Sequence, residues 1–294
     1  MHRTQIDQVR RFNRAFTKRI GVLDETYLAR GRPLGEARVL FEIGLAGRIG
    51  LQSLRERLGL DSGYLSRLIR SLETQGMVEL VRDERDARAR QARLTANGQV
   101  EFEAYDRLSD VAAEGFLGSL REPDRKLVVE AMAQIEHLLR AASVAVAVEP
   151  ADSPDARSCL EQYYAELARR FPSGFDPLAG NNFDPAEMTP PKGWFVLARL
   201  DGEPVGCGAL KALDDGIGEV KRVWTSPSAR GLGVASRIMD RLEALAAGAG
   251  FELLRLDTNG TLKEAQAMYA KRGYRAIPRY NDNPYAEHWF EKAV

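Results

Sequence analysis

Apolar side chains recur at helical intervals through the first half of the chain and shift toward alternation in the second. Val9, Phe12, Phe16 and Ile20 share one face of a helix, and a second helix over 34–44 turns Val39, Leu40 and Ile43 inward. A short helix over 51–58 stops at Gly59. Asp61 or Ser62 caps the next helix, which runs to about Gln75, ahead of Gly76. Residues 77–82 and 91–94 read as the strands of a hairpin whose tip, Asp83 to Arg90, is charged. Two long helices follow, over 95–120 and 122–142, and their apolar stripes pack either within the chain or against a partner subunit. From Ser143 the pattern predicts a strand over 144–148, a helix over 156–171 and a loop over 175–183. Strands over 194–199 and 204–210 are joined through Asp201-Gly202, a hairpin signal. A strand headed by Glu219, a helix to about Ala247, a strand over 253–256, a helix over 263–272 and two further strand-like segments complete the chain.

Length turns this pattern into two domains, 1–142 and 143–294, each large enough to bury its own core within the 294 residues. Net charge is zero, with 24 Lys and Arg against 21 Asp and Glu in residues 1–142 and 18 against 21 in the remainder. So small a basic excess means that any nucleic-acid reading rests on where the arginines sit. Two cysteines, Cys159 and Cys207, are too few for a disulfide framework. No apolar run approaches a membrane span and the N-terminus lacks the apolar core of a signal peptide, so a cytoplasmic protein is expected. His2, His137 and His288 show no metal-ligand spacing, and no metal is expected.

The helix that follows Asp61 buries Leu65, Leu68, Ile69 and Leu72 and leaves Ser62, Tyr64, Ser66, Arg67 and Arg70 on its opposite face. Joined by a tight turn to the helix before it, it makes a helix-turn-helix. Arg67 and Arg70 suit guanine edges or phosphates, and the two serines and Tyr64 suit phosphate oxygens. The hairpin behind is a wing, with Arg88 and Arg90 placed to enter a minor groove; a solvated charged loop is the plainer alternative. Leu54 to Gly76, with Arg82-Asp83, Asp86-Ala87-Arg88 and Arg93-Leu94-Thr95, resembles the MarR family of winged-helix regulators over the whole N-terminal half. The resemblance implies a homodimer joined through the terminal helices, a pseudo-palindromic operator in double-stranded DNA, and a ligand pocket near the dimer interface. With no cysteine in this half, thiol sensing is not expected.

The densest chemistry lies from Glu219 to Met239: a strand, a loop marked by Pro227, an R-G-x-G-x-A turn and an amphipathic helix. Main-chain N–H groups stacked at a helix N-terminus favour a phosphate. Gly231 and Gly233, lacking a Cβ, allow a pyrophosphate to approach closely. With Met268-Tyr269-Ala270-Lys271-Arg272-Gly273-Tyr274, this stretch resembles the GNAT family of N-acetyltransferases over essentially all of 143–294. The fold class expected is therefore a mainly α winged helix-turn-helix followed by an α/β GNAT-type mixed sheet with flanking helices.

That resemblance implies acetyl-CoA as co-substrate. Its pyrophosphate would be held by the main chain of Arg230, Gly231, Leu232, Gly233, Val234, Ala235 and Ser236. Its pantetheine would lie along the strand Val223, Trp224, Thr225, where two central strands splay. Tyr269, four residues before Gly273, stands where the family places the tyrosine that donates to the departing sulfur; a core aromatic is the alternative. An alkyl amine, with a pKa near about 10, must lose a proton before it attacks. Glu219 is the candidate base, through water, or else an exposed strand-end carboxylate. The Trp224 or Thr225 N–H is a candidate for polarising the carbonyl. Arg222, Tyr280 and Asn283, with Arg279 and Asn182, are candidate contacts for a small polar amine, Arg222 meeting a carboxylate or forming an ion pair. One departure stands out: seven residues before the tyrosine, where many family members have asparagine, this chain has Leu262, and Asn259 lies at a different offset.

The function expected is a DNA-binding transcription regulator that is also an acetyl-CoA-dependent N-acetyltransferase acting on a small amine. In a second reading the GNAT-like half is a non-catalytic sensor of acetyl-CoA or an amine. In a third the winged helix serves only dimerisation.

Overall fold

A computed structural model of the chain describes residues 2–20, 27–82, 90–172, 174–177, 179, 184–214 and 216–294. It divides into two compact units, Met1–Ala133 and Gln134–Val294.

The first unit comprises α1 (Arg3–Arg19), α2 (Leu34–Ala46), β1 (Arg48–Gly50), α3 (Leu51–Leu58), α4 (Ser62–Thr74), β2 (Val78–Arg82), β3 (Arg90–Leu94) and α5 (Ala96–Gly118), and the division falls within α6 (Glu122–Ala142). Its core joins Leu40 and Ile43 of α2, Leu54 of α3, Leu72 of α4 and Tyr105 of α5, all fully buried. Asp61 caps α4, its carboxylate accepting the Tyr64 N–H at 2.8 Å, and Thr95 caps α5 by accepting the Gly98 N–H at 3.1 Å. The sheet runs β1-β3-β2, antiparallel throughout. Its first strand was not foreseen: three residues with only Ile49 buried are too short to display a period. Neither α1 nor α6 buries a single side chain among the described residues.

The second unit continues with β4 (Ala145–Val148), α7 (Pro154–Arg170), β5 (Gly193–Leu200), β6 (Glu203–Asp214), β7 (Ile217–Thr225), α8 (Val234–Gly248), β8 (Leu253–Thr258), α9 (Lys263–Lys271), β9 (Arg275–Ile277) and β10 (His288–Ala293). The sheet order is β4-β5-β6-β7-β8-β10-β9. Successive residues of β5 serve opposite faces. Val196 and Ala198 pack with Ile238, Met239 and Leu242 of α8, whereas Phe195 and Leu197 pack with Cys159 and Leu160 of α7. A sheet covered on both faces reads as continuous apolar runs, which is how β5 and β6 read in the sequence. Cys159 and Cys207, both fully buried, meet in the second of these layers.

Two irregularities of β7 shape the site. Lys221 pairs with Ala209 and Trp224 with Cys207, so β7 holds one extra residue, a bulge that carries Arg222 at φ 56°. In addition, β7 and β8 pair in parallel only over Ile217–Glu219 with Leu253–Arg255. Beyond that the two strands part, and the site lies in the opening. No described helix is long and apolar enough to cross a membrane.

Candidate functional site

The opening between β7 and β8 leads into a cleft of about 470 Å³. It gathers Val223, Trp224 and Thr225 of β7, Arg230, Gly231 and Gly233 of the turn, and Val234, Ala235 and Ser236 from the first turn of α8. Those residues stand together as the sequence led one to expect, with Leu232 set apart: its side chain turns into the core, 5% exposed. Gly233, at φ 73°, stands in the cap position just before α8 and offers no side chain to cap the helix. Orphan N–H groups at that end therefore face the cleft. Gly231, at φ 82°, also holds a left-handed conformation costly to other residues. The buried Thr225 Oγ1 has no hydrogen-bond partner among the described residues. An uncapped helix start, a side-chain-free turn and an orphaned hydroxyl fit an oxygen-rich ligand such as a diphosphate-bearing carrier.

Glu166 of α7, which the sequence did not single out, organises one wall. Its two oxygens accept the Arg230 guanidinium at 2.6 Å each, the Trp224 indole N–H at 2.9 Å and Arg170 at 3.3 Å. Burial works to raise its pKa, but the Trp224 hydrogen bond and the Arg230 charge outweigh it, and the carboxyl titrates below its ordinary range.

Tyr269 of α9 is 6% exposed and borders this cleft as well as a second, narrower cavity of about 80 Å³. Val223, Leu262, Tyr163, Leu167 and Ala265 also belong to both walls, so the two spaces meet there. Burial, with a contribution from Asp257, pushes the Tyr269 phenol well above its usual range. The hydroxyl stays protonated at neutral pH. Leu262 thus occupies the wall where an asparagine would have been polar. Asn259 borders the narrow cavity with its amide already spent, donating to the Tyr285 carbonyl at 2.8 Å and accepting from Thr261.

Arg222 and Asn283 line the narrow cavity, together with Lys221, Asp257 and a set of aromatic rings. The Arg222 Nε donates to the Tyr164 hydroxyl at 3.1 Å, and Asn283 donates to Asp257 Oδ1 at 2.7 Å. Glu219 and Tyr280 stand elsewhere. The strand starts at Ile217, so Glu219 does not head it; Glu219 sits opposite Arg255 where β7 and β8 are closed, 2% exposed. Its Oε1 accepts Tyr280 Oη at 2.9 Å, Asn281 Nδ2 at 3.1 Å and Lys221 Nζ at 3.0 Å. Among the described residues neither Glu219 nor Tyr280 belongs to the walls of either cavity, which corrects the picture of a carboxylate facing the cofactor. Lys221 links the two carboxylates, reaching Asp257 at 2.5 Å. Arg279 pairs with Asp282 at 2.9 Å on the surface, and Asn182 lies outside the described residues.

On the first unit, Ser62, Tyr64, Ser66, Arg67 and Arg70 are all exposed on α4. Ser62, Ser66, Arg70 and Arg90 share one groove with Gln52 and Arg55. Tyr64 and Arg67 form a neighbouring pair, the guanidinium 5.5 Å from the ring centroid. The Tyr64 hydroxyl also braces α2: a Cβ on Gly35 would lie 2.7 Å from it. Arg88 and the rest of the hairpin tip lie outside the described residues. No group of three or more described His, Cys, Asp or Glu side chains is arranged to hold a metal ion.

Residues 160–274 match the model of the acetyltransferase (GNAT) family, and residues 30–89 match that of the MarR family. An IAA acetyltransferase of Azospirillum brasilense is 35% identical over 120 residues, 40% of this chain and 78% of that protein. A GNAT-family acetyltransferase of Staphylococcus aureus is similar over 51% of this chain and 98% of its own, at 15% identity and TM-score 0.44. Streptococcus pneumoniae FabT, solved in complex with DNA, is similar over 46% of this chain and 96% of its own, at 19% identity and TM-score 0.41. With its glycine cradle and its parted strands, the chain belongs to the GNAT acetyltransferase family through its C-terminal half, while the match of its N-terminal half to the MarR family model covers residues 30–89.

Proposed function

We propose that this protein is a homodimeric, cytoplasmic transcription regulator, with a winged-helix domain over 1–142, and that its domain over 143–294 transfers an acetyl group from acetyl-CoA to a small amine. The observation that carries the enzymatic part is the junction at Tyr269, where the cradle-lined cleft meets a second cavity. In this reading the Val234 to Ser236 N–H groups and Arg230 hold the diphosphate, the Thr225 hydroxyl gains a partner, and the strand edge at Val223 aligns the pantetheine arm. The amine, in the narrow cavity, attacks the thioester carbonyl; a carbon–nitrogen bond forms as the carbon–sulfur bond breaks. Tyr269 donates its phenolic proton to the departing sulfur. The amine proton leaves toward Asp257, the carboxylate at the cavity wall. Glu219 acts one step removed, by holding Lys221 and Tyr280 in place around it.

The regulatory part is supported by Arg70 and Arg90 sharing one groove on α4 and the wing. DNA binding in this reading weakens linearly in log–log form as salt rises. Binding that ignores salt, or none at all, sinks it.

The enzymatic part is tested by following free thiol released from acetyl-CoA in the presence of amines. Tyr269→Phe is expected to lower kcat by about tenfold or more while calorimetric acetyl-CoA affinity stays within about twofold. An undiminished kcat removes Tyr269 from the acid role. Tight acetyl-CoA binding without turnover of any amine makes the domain a sensor instead.

A further inference from the structure

Resting on the acetyltransferase reading, we infer that the acceptor is a primary amine bearing an aromatic ring, seated in the narrow cavity beside Tyr269. Four rings from three chain segments converge there: Tyr164 and Phe171 from α7 and its C-cap, Phe175 from the loop that follows, and Tyr285 from the loop before β10. Tyr164 stacks with Phe175 at 5.7 Å and 25°, Phe175 meets Tyr285 at 4.8 Å and 46°, and Phe171 stands edge-on to Phe175 at 5.9 Å and 80°. All four line the cavity. Only Phe171 is buried; Tyr164, Phe175 and Tyr285 are half-covered, so the set is not closed off as a core cluster is. Two of the rings are fixed by their polar ends. The Tyr285 hydroxyl accepts the Asp176 N–H at 2.8 Å, and the Tyr164 hydroxyl accepts Arg222 Nε at 3.1 Å. Rings held this way present preset faces and edges, and a further ring joins them on the geometry they already use among themselves.

The rest of the cavity is polar and suits the other end of such a molecule. Asp257 keeps its carboxylate at the wall through Asn283 at 2.7 Å, Asn281 at 2.6 Å and Lys221 at 2.5 Å. Asp257 and Glu219 share the Lys221 ammonium, with Lys211 3.9 Å from Glu219 and Arg222 on the same wall, so what Asp257 offers an incoming amine is a charged hydrogen-bond acceptor. The amine must reach the junction at Tyr269 while the ring stays among Tyr164, Phe175 and Tyr285. A short arm between ring and nitrogen meets both demands in so narrow a space, whereas an aminosugar or an aliphatic diamine leaves the aromatic set unused.

The test compares kcat/KM on the full-length protein, by thiol release from acetyl-CoA. One set of amines is 2-phenylethylamine, L-phenylalanine and L-tryptophan; the other is 1,4-diaminobutane, glucosamine and a lysine-containing peptide. At least one aromatic amine is expected to exceed every member of the second set by about tenfold. In Phe175→Leu, KM for that amine should rise about three- to tenfold, the range of an aromatic pair contact, with acetyl-CoA affinity verifying the fold. Equal or faster turnover of an aliphatic, sugar or peptide amine overturns the aromatic acceptor and leaves acetyl transfer standing. Absence of turnover with every amine overturns both. Should Phe175→Leu fail to fold, the amine comparison on the unaltered protein decides alone.

Discussion

Arg230 lines the larger cleft with its guanidinium already committed to Glu166, which also holds the Trp224 indole and Arg170. Only Arg170, four residues on in α7, is local to this glutamate; Trp224 and Arg230 come from β7 and the glycine turn, and only the fold brings them to it. That Arg230 and the two turn glycines line one cleft was legible because their spacing is local, and Tyr269 was placed beside them by the family resemblance. The burial of Glu219 was not legible for a related reason. Its position in the strand was readable, but whether β7 and β8 are open or closed beside it depends on pairing that no single strand reveals. The Glu166 carboxyl titrates below its reference value of 4.5, so its contribution is complete above that pH and is lost as pH falls through the lower, folded value. Acetyl-CoA affinity and the thermal midpoint of the acetyltransferase half should therefore decline together below about pH 4.5. Glu166→Gln should cost about 1–3 kcal/mol at neutral pH, with Arg230 left without its counter-charge while Arg170 keeps Glu264, and should flatten that acid limb. An unshifted melting curve for the variant refutes this account.

Elements with a long period were the most readable: α2, α4, α5 and α6 fall close to their expected bounds, and the hairpin of β5 and β6 turns through Asp201-Gly202 as its sequence suggests. Short or irregular features were not. β1 is too brief to show alternation, and the β7 bulge leaves no trace beyond an arginine held at φ 56°. The aromatic wall of the narrow cavity escaped for another reason, since its rings come from α7, the loop after it and the loop before β10, where no periodicity connects them. The turn before α8 lends itself to a direct test. A Cβ on Gly233 meets no atom within 4 Å, so in Gly233→Ala the free protein suffers only the left-handed backbone, about 1–2 kcal/mol. A bound diphosphate needs that open space. KM for acetyl-CoA should rise about tenfold in Gly233→Ala, the equivalent of about 1.4 kcal/mol, with kcat at saturation little changed. A KM equal to that of the parent argues against the cradle.

At the scale of the whole chain, α1 and α6 leave a great deal of apolar surface open. Val9 and Phe12 of α1 are 58% and 42% exposed, and Leu127, Leu138 and Leu139 of α6 are each about two-thirds exposed. Surface of this kind on long terminal helices is what a second copy would cover. The sequence left open whether the stripes of the helices over 95–120 and 122–142 pack within the chain or against a partner; α5 buries Ala104 and Tyr105 within the chain, whereas α6 buries no side chain among the described residues. Light scattering should give twice the 32.7 kDa of one chain, and Phe12→Asp should shift it to the single mass and weaken operator binding. A monomeric parent protein at micromolar concentration would discard the dimer. The placement of the only two cysteines has a practical corollary. Cys159 and Cys207 are both sealed inside the acetyltransferase half, and the winged-helix half has none. A thiol-reactive dye can mark the protein only while that half is open, so the rate of labelling clocks the opening of one domain and is blind to the other.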